Sequence, residues 1–274
     1  MMGGARTHDR GIRMRRVRLT LLSLMMATIL QLSLETGLRA EPVKFQTDYS
    51  VRLIGIPVAY ASFVSEVDGT SYKISGNLQT SAISDIILKT RGSVSVSGTQ
   101  ADDRLWASSF VVSYTSGKDA QKTEIEFREG NVKSSVNTPK RKASGAGWVP
   151  LSAGDMRSVL DPLSGLVFPG SSKVCPRSLP IFDGQSRVTL HLTPKGVRPF
   201  RTKGFSGDAI ACSVRFEPKA GYRKGSSGIQ YLTELKTMEI WFAKHEQGDL
   251  YAPVYAKVPT KIGQVIVAAT RFGG

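Results

Sequence analysis

Gly204-Phe205-Ser206-Gly207-Asp208-Ala209-Ile210-Ala211-Cys212-Ser213-Val214-Arg215-Phe216 is the stretch from which the fold can be read. Ile210, Cys212, Val214 and Phe216 alternate with Ala211, Ser213 and Arg215. That period of two marks a strand with one face buried. Cys212 falls on the core side of this strand, and Cys175 is the other of the two cysteines in the chain. Two cysteines in an exported chain suggest one structural disulfide, Cys175 to Cys212, closing a loop of strands and turns.

Export is expected from the first forty residues. Arg13, Arg15, Arg16 and Arg18 precede a largely apolar run from Leu19 to Leu34, and Gly37 to Ala40 offers small residues before a cut ahead of Glu41. A membrane anchor would need about 20 continuous apolar residues, and this run is shorter and interrupted by Thr20, Ser23, Thr28, Gln31 and Ser33. Residues 1–40 therefore read as a cleaved signal peptide and 41–274 as one β-rich domain, with the periplasm as destination. The remaining 234 residues carry 30 Lys/Arg against 20 Asp/Glu, about +10. Such a charge suits anionic partners, acidic lipid or an anionic envelope polymer, or serves solubility alone. Export and the lack of any RNA-binding or zinc-finger signature argue against nucleic acid.

The rest of the chain repeats the strand pattern. Tyr49 to Leu53 and Val58 to Val67 flank Gly55-Ile56-Pro57, and Asp68-Gly69-Thr70-Ser71 turns the chain into Tyr72, Ile74 and Leu78. Strands follow around Val94, Phe110, Ile125, Val132, Leu190, Ile240, Val254 and Val265, on the order of ten to twelve in all. Two segments break the alternation and predict short helices: Ser81 to Leu88, and Ser152 to Leu166, with Asp161-Pro162 as an internal cap. Two basic loops are expected. One spans 139–150 with Lys140, Arg141 and Lys142; the other runs from Lys219 to Gly228 with Arg223 and Lys224. The fold class is all-β, a curved antiparallel sheet forming an open, incompletely closed barrel or spiral.

No nucleophile elbow, Walker loop or dinucleotide fingerprint occurs, so neither catalytic residues nor a cofactor are predicted. His191 and His245 lack a second His or Cys at ligand spacing, so no metal site is expected. What remains is apolar surface. Leu53, Phe63, Leu78, Trp106, Phe110, Ile125, Phe216 and Phe242 are the large residues on inward registers, with Trp106 and Tyr114 assigned to the register of Phe110. They line a ligand groove or fill the core, and the two helices act as plug or lid over that face.

Tyr49 to Leu53 with Gly55, Asp68-Gly69-x-x-Tyr72, Asp161-Pro162-Leu163-Ser164, and Gly204-Phe205-Ser206-Gly207 leading to Cys212 resemble a bacterial envelope family, domain of unknown function 3108. The similarity spans most of residues 41–274. It implies a periplasmic protein whose open barrel is similar to LolA/LolB-type lipoprotein carriers, with no family catalytic residues to transfer. The expected function is non-enzymatic support of the envelope by binding an apolar or amphiphilic ligand: a lipid, an acylated protein or an outer-membrane component. A scaffold acting through the basic loops is the alternative, and a hydrolase of envelope polymer a third reading.

Overall fold

The computed structural model describes residues 41–86, 89–140 and 145–273; the predicted signal peptide lies outside them. The first half forms β1 (Val43–Leu53), β2 (Ile56–Asp68), β3 (Ser71–Thr80), β4 (Thr90–Ala101), β5 (Arg104–Ser116), β6 (Asp119–Arg128) and β7 (Asn131–Thr138). The second forms β8 (Trp148–Val149), β9 (Phe168–Pro169), β10 (Arg177–Phe182), β11 (Arg187–Thr202) and β12 (Phe205–Ala220). It ends with β13 (Tyr222–Arg223), β14 (Met238–His245), β15 (Leu250–Thr260) and β16 (Gly263–Phe272). Helices α1 (Ala82–Asp85) and α2 (Ser227–Glu234) are short.

One fourteen-stranded antiparallel sheet runs β10-β11-β12-β14-β15-β16-β1-β2-β3-β4-β5-β6-β7, with β9 added beside β15. The first strand pairs with the last, β1 with β16, so the first and last strands both lie in mid-sheet. The sheet is not closed by a ladder. Instead Ser135 and Asn137 on β7 donate side-chain hydrogen bonds of 3.1 and 2.9 Å to the Gly184 carbonyl, in the loop after β10. The edges of an open sheet are thus brought together by side chains, which limits their exposure to other strands.

Residues 150–176 cross this sheet and correct the prediction of a helix from Ser152 to Leu166. They form two single 3-10 turns, Gly154–Met156 and Ser164–Leu166. Between them Ser158 takes a positive φ of 49°. Leu160 bonds edge-on to β10, its N–H donating to the Pro180 carbonyl and its carbonyl accepting from Phe182, both at 2.8 Å. A pair of helical turns so short gains little cooperative stability. The β10 edge and the two hydrophobic clusters, into which Val159 and Leu160 separately pack, hold the segment extended. Its far end is anchored by the disulfide between Cys175 and Cys212, whose Cα atoms are 6.4 Å apart. Closing a loop of 37 positions stabilises the fold by about 3–4 kcal/mol in the chain-entropy model.

Three further differences have local causes. The described part of the 81–88 helix is the single turn of α1, where Ser81 Oγ accepts from the Ser84 N–H at 3.3 Å; Ile87 and Leu88 lie outside the described residues. The 219–228 loop is mostly ordered structure, since β12 continues to Ala220 and α2 begins at Ser227. Trp106 does not share the face of Phe110. A β-bulge opposite Ser97 and Gly98 shifts the alternation by one residue, so Leu105 and Ala107 join Phe110 in the core and Trp106 is left half-buried.

The β1–β2 hairpin has a two-residue turn, Ile54-Gly55, with φ of 51° and 82°. Two positive φ angles match the right-handed twist of a hairpin. Glycine takes that conformation freely, but a β-branched residue there is strained by roughly 1–3 kcal/mol.

Candidate apolar cleft

The inward registers of β1 to β6 line up in three rungs. The first is Phe45, Ser65, Ile74, Val96, Phe110 and Ile125; the second Thr47, Phe63, Gly76, Val94, Val112 and Thr123; the third Tyr49, Ala61, Leu78, Gly92, Tyr114 and Gln121. All of the first rung except Ser65 is buried, with Ile74 only 4% exposed. Four positions along the same face of β3, Leu78 is 39% exposed, and Tyr114 in that rung is also exposed. The concave face is therefore packed at one end and open at the other.

The open part is a cleft of about 340 Å³ between these rungs and the crossing segment. Phe63, Tyr49, Val51 and Leu78 form one wall, Leu163, Leu166 and Val167 the opposite one, and Ile240, Pro253, Ala256 and Val267 the floor. Ala61 keeps the first wall shallow, and Gly76 lets the Phe63 ring lie flat over it: a Cβ there would lie 2.3 Å from the ring. Phe63 in turn meets Tyr49 edge-on, with centroids 5.7 Å apart.

Three polar side chains line the cleft: Thr47, Tyr49 and Ser65. Tyr49 donates its hydroxyl to the Pro253 carbonyl at 2.6 Å, and burial of that hydroxyl raises its pKa well above the usual range. Asp161, fully buried, holds the wall in place. It accepts from the N–H groups of Leu163 (2.9 Å) and Ser164 (2.8 Å) and from the Ser164 hydroxyl, to which Tyr72 also donates at 3.0 Å. Burial pushes the Asp161 carboxyl above its ordinary pKa. Its role is that of a cap for the 3-10 turn, as the Asp-Pro sequence suggests.

Of the eight groove candidates, two line the cleft: Phe63 and Leu78. Phe110 and Ile125 belong to the packed rung, and Phe242, fully buried 5.2 Å from the Phe168 ring, is filled core as well. Trp106 is half-buried under the Arg104 guanidinium, 5.1 Å from the ring centroid. Leu53 is half-buried at the end of β1, and Phe216 is half-buried on β12 opposite Leu190. Leu163 and Leu166 belong to the 152–166 segment expected to cover this face, but which of its side chains point inward, and Val167 beyond it, escaped the sequence reading, because single 3-10 turns joined by extended chain have no periodicity to reveal it.

A family model described as "Protein of unknown function (DUF3108)" matches residues 47–270. The chain belongs to the DUF3108 family. Comparison with curated proteins finds no significant match. Among solved structures, this DUF3108 chain is similar to a beta-barrel-like protein of domain of unknown function DUF1849 from Brucella abortus. The TM-score is 0.46 at 8% identity, over 85% of this chain and 97% of that one.

Elsewhere in this DUF3108 domain, the two basic loops meet. The β8–β13 ribbon pairs Trp148 with Arg223 and Val149 with Tyr222, and the Lys224 N–H donates to the Gly147 carbonyl at 2.7 Å. Lys140 is exposed, while Lys219 is paired with Glu217 at 2.6 Å; Arg141 and Lys142 lie outside the described residues. On the outward face of β10–β12, Ser178 Oγ is 2.9 Å from His191 Nδ1, and His191 Nε2 is 2.6 Å from Glu217 Oε2. Lys219 and His191 hold the Glu217 carboxyl down to about 2. These three side chains are the partners of a serine relay, but they lie outside the cleft, with Ser178 exposed and His191 and Glu217 half-buried, and Lys219 and Arg215 share the carboxylate. Among the described residues, no group of three or more His, Cys, Asp or Glu side chains is placed to hold a metal ion.

Proposed function

We propose that this protein is a non-enzymatic, exported envelope protein that binds one narrow apolar chain, the acyl tail of a lipid or acylated protein, in the cleft. The observation that carries the reading is the gradient along one face of the sheet, from the buried rung of Phe45 and Ile74, which forms the closed end of the cleft, to the open one at Leu78. The cleft walls are almost wholly carbon, and the Tyr49 hydroxyl that reaches them is already bonded. Nothing along those walls offers a charge to a polar ligand, so apolar burial supplies the affinity. Its volume of about 340 Å³ sits at the small end of ligand sites, which run from roughly 300 to 1,000 Å³. That suits one acyl chain better than a two-tailed lipid.

Titration with a fluorescent fatty acid, alongside native mass spectrometry of the purified protein, tests the reading. Saturable one-to-one binding that persists at high salt is expected. Absence of binding, with no copurifying apolar molecule, overturns it. The joining of the basic loops by the β8–β13 ribbon favours a second reading, an anionic polymer or protein held by Lys140, Arg223 and Lys224. Binding through that face would weaken steeply with salt.

A further inference from the structure

We infer that the end of the sheet beside the cleft mouth docks onto an anionic lipid surface through exposed isoleucines. The inference rests in part on the cleft reading, because it gives the mouth a source of acyl chains.

Five isoleucines, Ile54, Ile56, Ile83, Ile86 and Ile262, are 52–86% exposed. They come from three connections that the sheet places side by side: the β1–β2 turn, the α1 segment and the β15–β16 turn. The Ile54 N–H donates to the Gln264 carbonyl at 3.0 Å, and a Cβ on Gly263 would lie 2.3 Å from Ile54 Cγ1. On the other side, the Ser81 N–H and hydroxyl bond to the Val58 and Pro57 carbonyls at 2.9 and 2.8 Å. The isoleucines therefore form one patch, whereas scattered exposed apolar residues would need no explanation.

Two further observations identify the occupant. The first is strain. Ile54 holds a positive φ in a turn where Asn or Gly would fit without cost. Its side chain is 66% exposed, so the fold gains little packing in return. A local rule broken without a folding benefit points to a use for the exposed side chain. The second is charge. Exposed Arg52, Lys89, Arg91 and Lys261 flank the patch, and the neighbouring β5–β6 turn adds Lys118. The acidic side chains on these connections are Asp85, 3.9 Å from Arg91, and Asp119. An apolar tip ringed by cations matches an interface of anionic head groups above acyl chains. The tip also continues the cleft, since lining residues Val51, Ala61 and Val267 lie within five positions of Ile54, Ile56 and Ile262 in sequence.

Flotation with vesicles of phosphatidylglycerol and phosphatidylethanolamine tests this, using wild type, Ile54→Asn/Ile262→Asn and Arg52→Gln/Lys261→Gln. Wild type is expected to float with these vesicles, and less with phosphatidylcholine alone or at high salt. The Asn pair should lose at least tenfold in partitioning with an unchanged or raised Tm, because Asn accepts the turn conformation. The Gln pair should lose most of the preference for anionic vesicles. Fatty-acid titration of the same variants separates the two readings: intact binding in the Asn pair with lost flotation supports docking whatever the cleft holds. Flotation of the Asn pair equal to wild type overturns the inference. So does a wild type that ignores vesicles and instead self-associates through these isoleucines in sedimentation equilibrium.

Discussion

Replacing Ala61 with leucine distinguishes a cleft from a core by the sign of a stability change. Ala61 stands in the third rung between Tyr49 and Leu78, and its side chain faces the cleft. Ala61→Leu adds three carbons. In a filled core this overpacking would cost about 1–3 kcal/mol. In an open cleft the added carbons bury against Phe63 and Leu163 without displacing protein, and full burial is worth up to about 2.4 kcal/mol at 0.8 kcal/mol per methylene. The half-open position of Ala61 brings the expected gain to about 1 kcal/mol, or roughly 2–4 °C in Tm for a domain of this size. The same carbons occupy space for about three methylenes of ligand, so fatty-acid affinity should fall by about 50-fold. Urea denaturation and fluorescent fatty-acid titration of the same preparation read both quantities. Loss of more than 1 kcal/mol in stability with unchanged affinity would refute the reasoning, because it would mean that the space is filled and the ligand, if any, sits elsewhere.

Other expectations follow from the same geometry. Gly76→Ala drives a Cβ against the Phe63 ring; displacement of that ring into the cleft it lines should lower affinity about tenfold with a stability cost near 1 kcal/mol, read by the same two assays. Phe110→Ala, in the packed rung, should cost about 3–5 kcal/mol and leave affinity unchanged in protein that remains folded. Asp161→Ala leaves the Leu163 and Ser164 N–H groups without their acceptor. It should cost about 1–3 kcal/mol and speed hydrogen exchange across residues 162–167. His245 stacks on Phe45 at 3.8 Å, accepts from the Gly248 N–H at Nδ1 (3.2 Å), and is held by burial below its ordinary value of 6.5. The unfolded chain therefore takes up a proton that the native one resists, so its contribution is complete above pH 6.5 and lost as pH falls below it. The slope is at most about 1.4 kcal/mol per pH unit. His245→Phe should flatten this limb in denaturation curves measured at several pH values.

Strand alternation made most of the sheet legible. The period of two at Tyr72, Ile74 and Leu78, or at Ile210, Cys212 and Val214, depends on local chain geometry alone, and the disulfide follows from two cysteines, one on a buried register. What alternation cannot show is where a register slips. Alternation alone puts Trp106 on the face of Phe110, because the bulge opposite Ser97 and Gly98 depends on the pairing of β4 with β5. Nor does a capped, partly apolar segment disclose that a sheet edge will hold it extended, as β10 holds Leu160. The groove candidates divide for the same reason. Large inward residues look alike in sequence, and only the position of the crossing segment separates Phe63 and Leu78 from Phe110, Ile125 and Phe242. Ile54 is a case of its own: its positive φ and exposure emerge only with the hairpin.

The most direct test is a methyl-labelled NMR titration with lauric acid, following Ala61, Leu78, Val51 and Ala256 against Ile125 and Val96. An acyl chain in the cleft shifts the first group saturably and leaves the second unmoved. Resonances of Ala61 and Leu78 that stay in place while the ligand binds, or shifts confined to Ile125 and Val96 in the sealed rung, would contradict it.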